Sequence, residues 1–173
     1  MSLRSLRSKV RDIPDFPQKG VLFRDITPLL KDPGAFREII ARFAAALKGQ
    51  KVDLVVGIES RGFIFGAALA ARLGRGFVPV RKKGKLPWRT RRVACTLEYG
   101  REVLEIHEDA VKRGQKVVIV DDLLATGGTA AAAEKLVGSL GARVVKTLFV
   151  IELGFFKGRD KLKGNVFSLI SYS

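Results

Sequence analysis

Cysteine occurs once in the 173 residues, at Cys95, and histidine once, at His107. One thiol forms no intrachain disulfide, and one imidazole beside one thiol is too few for a Cys/His metal cluster. Nothing near Cys95 builds a thiolate–imidazole pair, so Cys95 reads as a bystander and His107 as structural. No run of about 18 uninterrupted apolar residues occurs. The opening MSLRSLRSKVRD is basic without the apolar stretch of a secretory leader, and a cytoplasmic protein is expected. Neither G-x-G-x-x-G nor G-x-x-x-x-G-K-[ST] is present, which removes the dinucleotide and P-loop fingerprints. Internal repeats and low-complexity linkers are also missing.

Acids are scarce: 17 Asp and Glu stand against 32 Lys and Arg, a net charge of +15. Between Arg72 and Arg92 every charged residue is Lys or Arg. Such a balance suits nucleic acid, an anionic membrane or an anionic substrate, and it supports nonspecific nucleic-acid affinity at low salt. Trp88 is the single aromatic in that cationic stretch beyond Phe77, so no base-stacking platform is indicated. No dedicated nucleic-acid partner and no membrane partner is expected.

The chain is 47% hydrophobic, enough for one packed core and too short for a second large domain. Apolar spacing predicts helices over 35–47, 62–73 and 130–140, and strands over 52–56, 77–80, 117–120, 144–151 and 166–170, with a strand pair near 94–97 and 103–106. Pro14, Phe16 and Pro17 punctuate an irregular N-terminal segment that has no core of its own. Alternating strands and helices predict an α/β fold with a doubly wound, mostly parallel sheet, whose ligands bind beyond the strands' carboxyl ends.

Chemistry concentrates at two such ends. The β-branched run Val117 to Val120 leads into Asp121 and Asp122, then into LLATGGT, which opens the alanine-rich helix. Gly127 and Gly128 let the backbone approach a ligand, while Thr126 and Thr129 add hydroxyls beside amides left unpaired at the helix start. A phosphate monoester suits this turn, with Ala125 at its entrance. The two acids can accept hydrogen bonds from sugar hydroxyls or hold a hydrated magnesium ion, so one fitting ligand is a ribose 5-phosphate. Taken singly, a strand-end Asp, a Gly-Gly turn and a Thr N-cap are ordinary structural devices; their joint order is what points to phosphate. GIESRGF places Glu59, Ser60, Arg61 and Gly62 in a second anion-facing turn, which also reads as an ordinary helix start.

The acidic run resembles the phosphoribosyl diphosphate motif of the type I phosphoribosyltransferases. Three further stretches narrow the resemblance to the adenine-using members: IPDFPQKGVLFRDITPLLKDP at Ile13 to Pro33, GIESRGFIFG at Gly57 to Gly66, and RKKGKLP at Arg81 to Pro87 followed by LEYGREVLEIHEDA at Leu97 to Ala110. Together they cover the chain from about Val10 to its end.

The resemblance implies transfer of the phosphoribosyl group from 5-phospho-α-D-ribose 1-diphosphate to adenine, a purine salvage step that yields AMP and diphosphate. It implies Mg2+ held mainly by substrate oxygens, and a homodimer. It assigns the 5′-phosphate and ribose to Asp121, Asp122 and the 125–129 loop. The diphosphate falls to Glu59, Ser60, Arg61, Arg81, Lys82 and Lys85, with a cis peptide at Glu59–Ser60 and Arg81 reaching the partner subunit's site. The family more often carries Asp at position 59. Glu98 and Tyr99 form the implied catalytic pair, on a lid over about 82–106 that keeps water from the cationic anomeric carbon. A hood over about 1–33, ahead of a core over about 34–173, presents Phe23 to stack on adenine and backbone at Leu22 and Arg24 to read its edge, with Leu123 opposite. Two rivals are an enzyme for hypoxanthine, guanine or xanthine, and a purine-sensing regulator of nucleic acid. The FRD and LEYG segments oppose the first, and the second is expected to need a helix-turn-helix extension that 173 residues do not accommodate.

Overall fold

The computed structural model describes residues 1–97 and 100–173. Its centre is a seven-stranded sheet built from β3 (Leu54–Ile58), β4 (Gly76–Lys82), β5 (Thr90–Leu97), β6 (Gly100–His107), β7 (Lys116–Leu124), β8 (Arg143–Leu153) and β9 (Val166–Tyr172). The spatial order is β5-β6-β4-β3-β7-β8-β9. The five strands from β4 to β9 run parallel, and the β5–β6 hairpin adds two antiparallel strands at one edge. After β3 the chain winds outward to β4, and it later returns to the other side of β3 as β7. The β3–β7 boundary is therefore the topological switch point, where open α/β sheets leave a crevice beyond their carboxyl ends.

Helices cover both faces because the strands are apolar on both. Val55, Val118 and Val120 pack toward α3 (Pro33–Ala46) and α4 (Arg61–Leu73), whereas Val56, Val117 and Ile119 face α5 (Gly128–Ser139). Alternation along a strand puts successive side chains on opposite faces, so continuously apolar strands need two helical layers. At the start of α3, Asp32 accepts from Gly34 N at 2.8 Å and Ala35 N at 2.9 Å, the N-cap that a Pro-initiated helix uses. No helix among the described residues is long and apolar enough to cross a membrane.

The N-terminal segment is more regular than its punctuation suggests. It holds α1 (Leu3–Arg7), a two-stranded antiparallel ribbon of β1 (Arg11–Pro14) and β2 (Leu22–Asp25), and α2 (Thr27–Lys31). Strands of four residues, half of them charged, carry too little periodicity to be read. Cross-strand ion pairs, Arg24 with Asp12 and Arg11 with Asp25 at 3.7 Å, supply what apolar alternation does not. The segment is anchored through Leu6, Ile26 and Leu29, all buried in the main core, and through Arg7 and Arg24, which lie over the Tyr172 ring at 4.4 and 4.0 Å.

Three other boundaries differ from the sequence expectation. β7 continues through Asp121 and Asp122 because β8 is long enough to keep pairing, with Asp121 opposite Phe149 and Leu123 opposite Ile151. β4 runs on to Lys82, and the hairpin strands begin at Thr90 and end at His107, longer than apolar spacing indicates. Buried Glu105 sets that extension: its carboxylate accepts from Gly84 N, Leu86 N, Thr90 Oγ1 and Arg92 Nε, fastening the 82–90 connection to β6. Burial pushes the Glu105 carboxyl up, but these four donors outweigh it and hold it below the ordinary carboxylate range.

The first turn of α4 leans directly on the end of β7. A Cβ at Gly62 would lie 2.7 Å from Val120 O and 3.0 Å from Asp121 Oδ1. Gly62→Ala is expected to lose roughly 1–3 kcal/mol of stability through this overpacking, measured as a lower urea midpoint at unchanged slope. An unaltered midpoint would contradict the contact.

Candidate active site

A cavity of about 400 Å³ opens at the switch point, within the range of small-ligand sites. Glu59, Ser60 and Arg61 line it from the β3–α4 turn, and Asp121 to Gly127 with Thr129 line it from the β7–α5 turn. Both turns lead into helices that begin without a side-chain cap: Ser60 and Gly127 occupy the N-cap positions, the Ser60 hydroxyl bonds back to no amide, and Gly127 has no side chain to do so. A helix start carries unpaired N–H groups and the positive end of the helix dipole. Two of them facing one cavity make two candidate anion sites.

The second turn is held tightly. Gly127 has φ +77, and a Cβ there would fall 2.3 Å from Gly158 O. Glycine alone meets both demands. The first turn contains a cis peptide between Glu59 and Ser60, at the position implied by the resemblance.

Between the two turns lie Asp121 and Asp122, both buried. Asp122 N donates to Asp121 Oδ1 at 2.8 Å, and Arg61 Nε sits 2.5 Å from Asp122 Oδ2. That ion pair is close, yet its geometry falls short of a hydrogen bond, and Asp122 Oδ2 has no hydrogen-bond donor. Burial, with the Asp122 charge beside it, pushes the Asp121 carboxyl well above the ordinary range.

Cations assigned to the diphosphate divide into two groups. Lys82 lines the cavity, where its Nζ is 2.6 Å from Glu102 Oε1. Arg81 and Lys85 do not line it. Arg81 is instead held by Glu59, donating through Nε at 3.2 Å and Nη2 at 3.0 Å, and by Lys85 O at 3.0 Å. Glu59 also accepts from Lys82 N at 3.0 Å, and the Arg81 bond above all keeps its carboxyl below the ordinary range. Glu59 thus organises its neighbouring cations.

The adenine candidates are not all brought to the cavity. Leu123 lines the cavity, whereas Leu22, Phe23 and Arg24 do not. Phe23 stands beside it: the Arg61 Cζ lies 5.4 Å from its ring centroid, and Phe16 packs edge-on at 5.1 Å. The Arg24 side chain points to Asp12 and Tyr172, leaving its backbone for any base contact. Gly128 is the first residue of α5 but does not line the cavity, and Glu98 and Tyr99 lie outside the described residues.

The Phosphoribosyl transferase domain family matches residues 29–167. An adenine phosphoribosyltransferase of Thermotoga neapolitana is 58% identical over 168 residues, covering 96% of this chain and 99% of its own. The crystal structure of the adenine phosphoribosyltransferase of Thermoanaerobacter pseudethanolicus superposes with a TM-score of 0.96 at 56% identity, covering 99% of this chain and all of that one. The chain belongs to the adenine phosphoribosyltransferase family. The Saccharomyces cerevisiae member, at 46% identity and a TM-score of 0.93 over 96% of this chain and 97% of its own, was solved with adenine and an imino-altritol bisphosphate.

Within this family site, Glu102 is the residue that sequence reasoning did not assign. It sits one residue outside the apolar strand read at 103–106, so its pairing across the hairpin with Cys95 was hidden. Cys95 itself is buried, and burial raises its thiol, in keeping with a bystander.

The acid pair gives a pH-dependent prediction. A carboxyl held above its unfolded value, near 4, opposes folding once the pH exceeds that value, and has no effect below it. Asn at position 121 keeps an oxygen for Asp122 N and carries no charge. Asp121→Asn is therefore expected to be more stable than the parent at pH 7, with the difference closing as the pH falls toward 4, by urea midpoints at the two pH values. Equal or lower stability at pH 7 would contradict the assigned strain.

Proposed function

We propose that this chain transfers the 5-phosphoribosyl group from 5-phospho-α-D-ribose 1-diphosphate to adenine, giving AMP and diphosphate. The observation that carries the reading is the pair of uncapped helix starts opening on one cavity with two buried acids between them. One substrate has this pattern of charge, a ribose with a phosphate at one end and a diphosphate at the other. In this reading Ala125 to Thr129 seat the 5′-phosphate, Asp121 and Asp122 accept from the ribose hydroxyls, and Ser60, Arg61 and Lys82 hold the diphosphate. Lys85 joins them from the loop, and Glu59 keeps the turn in order through Arg81 and Lys82 N.

Breaking the anomeric C–O bond leaves positive charge on the sugar carbon and negative charge on the departing diphosphate. Cations and helix amides at one end, and carboxylates beneath the ring, are stabilisers already in place for each charge. Adenine attacks from the Phe23 and Leu123 side, with Phe23 stacking and the backbone of Leu22 and Arg24 reading the base edge. Glu98 stabilises the developing sugar charge or takes the purine proton, Tyr99 covers the diphosphate, and the 82–106 hairpin closes over both.

Magnesium fits the donor set. Asp122 Oδ2 is a buried oxygen lacking a hydrogen-bond donor, and no cluster of three His, Cys, Asp or Glu exists among the described residues. Magnesium commonly takes one or two carboxylates with substrate oxygens as the remainder. When bound it would neutralise diphosphate charge. A homodimer is part of the proposal, in which Arg81, which does not line its own cavity and is held by Glu59 and Lys85 O, serves the partner's site. The proposed setting is the cytoplasm, with small-molecule substrates and no dedicated nucleic-acid partner.

Purified protein with magnesium, phosphoribosyl diphosphate and, in separate reactions, adenine, hypoxanthine, guanine or xanthine is expected to form AMP alone. Glu98→Ala should lower kcat by about 10²–10³. IMP, GMP or XMP as the main product would overturn the base assignment, and no product at all would overturn the reaction.

A further inference from the structure

Lys82 is the one cavity-lining cation among the described residues besides Arg61, and its ammonium is already paired. Its ammonium is 2.6 Å from Glu102 Oε1, and both side chains line the same space. The Lys82 side chain is half exposed and that of Glu102 about one quarter exposed, so the pair is solvated enough to open at small cost. Lys82 ends β4, and Glu102 lies near the start of β6, the strand paired antiparallel with it; Lys83 N donates to Val103 O at 2.9 Å and fixes the two backbones. The ion pair therefore forms without displacing either strand. Among the described residues Glu102 has no other ionic partner, and it presents an anion where an anionic substrate has to enter.

We infer that Glu102 is a positioning residue that stands in for the diphosphate, holding the Lys82 ammonium beforehand and releasing it when diphosphate binds. The inference rests on the reading that Lys82 contacts the diphosphate. A lysine on a flexible four-carbon stem otherwise samples many rotamers, and ordering it at substrate entry costs entropy. The Glu102 contact removes that cost and replaces it with a competition between two anions. Binding of diphosphate then requires one ion pair to break, which weakens the hold on this product and favours its departure. Arg61 shows a like arrangement in the same cavity, its Nε lying against Asp122.

Exchange and simple repulsion make different predictions. Calorimetric titration with magnesium diphosphate is the test, on the parent, Glu102→Gln, Lys82→Met and the double variant. Glu102→Gln is expected to bind roughly two- to fivefold tighter, the range of a partly exposed ion pair, and to show product inhibition by diphosphate strengthened by the same factor. A damaged fold loses affinity, so a gain is a readout that a structural role does not produce. Lys82→Met should weaken binding, and on that background Glu102→Gln should add nothing. Weakening by Lys82→Met with no gain from Glu102→Gln would overturn the exchange. A gain that persists in the double variant would overturn it too, leaving only general repulsion of anions by Glu102. Unchanged binding in Lys82→Met would instead overturn the placement of Lys82 on diphosphate.

Discussion

The hydrogen-bonded ladder between β3 and β7 is the constraint on which the rest of the site depends. Its last pair, Gly57 with Val120, stands where β3 ends and where Asp121 and Asp122 follow on β7. Because both strands are parallel, both are followed by a helix, and because the winding reverses at this point, the helices leave on opposite faces. The two turns are thus held apart by one strand spacing, with helix amides pointing into the gap from either side. Gly62 permits the closeness, since its missing side chain is where Val120 O and Asp121 sit. An anion site at each turn follows from backbone geometry before any side chain is considered.

Side chains then set the sign of the field inside the gap. Two adjacent carboxylates at a buried strand end oppose folding, as the raised Asp121 carboxyl records. Arg61 offsets part of that cost through Asp122, yet leaves a buried oxygen without a donor. Natural cores rarely retain such an atom, and at a cavity wall a ligand can supply its partner. The cations behave alike. Glu59, Glu102 and Glu105 each engage Lys82, Arg81 or the connection that follows them, so acids are spent on ordering positive groups around the entrance. The surplus of +15 lies outside these pairs and draws polyanionic ligands toward the protein.

Much of this was legible in the residues. Continuously apolar strands with short helical stretches between them permit few architectures other than a doubly wound sheet, and the small-residue turns after 58 and 120 mark its ligand edge. Boundaries were less legible where pairing rather than composition decides them. Asp121 and Asp122 look like a strand's end, but β8 extends the ladder past them. The β1–β2 ribbon is held by ion pairs across strands of four residues, a pattern with no period to detect. Glu102 and Glu105 were invisible as functional groups because their partners, Lys82 and the 84–92 segment, meet them through the β4–β6 and β5–β6 pairings, 13 to 21 residues away in the chain for Glu105. The residue at 59 read as a possible ligand contact, and its geometry shows it turned toward Arg81.

The central claim is that the two helix starts divide one substrate between them. A crystal structure of the magnesium-loaded protein with AMP and diphosphate measures this most directly. The AMP phosphate is predicted on the amides of residues 126–129 and the diphosphate on those of residues 60–62, with the ribose hydroxyls on Asp121 and Asp122. Both anions at one turn, or a ribose turned away from the acid pair, would contradict it.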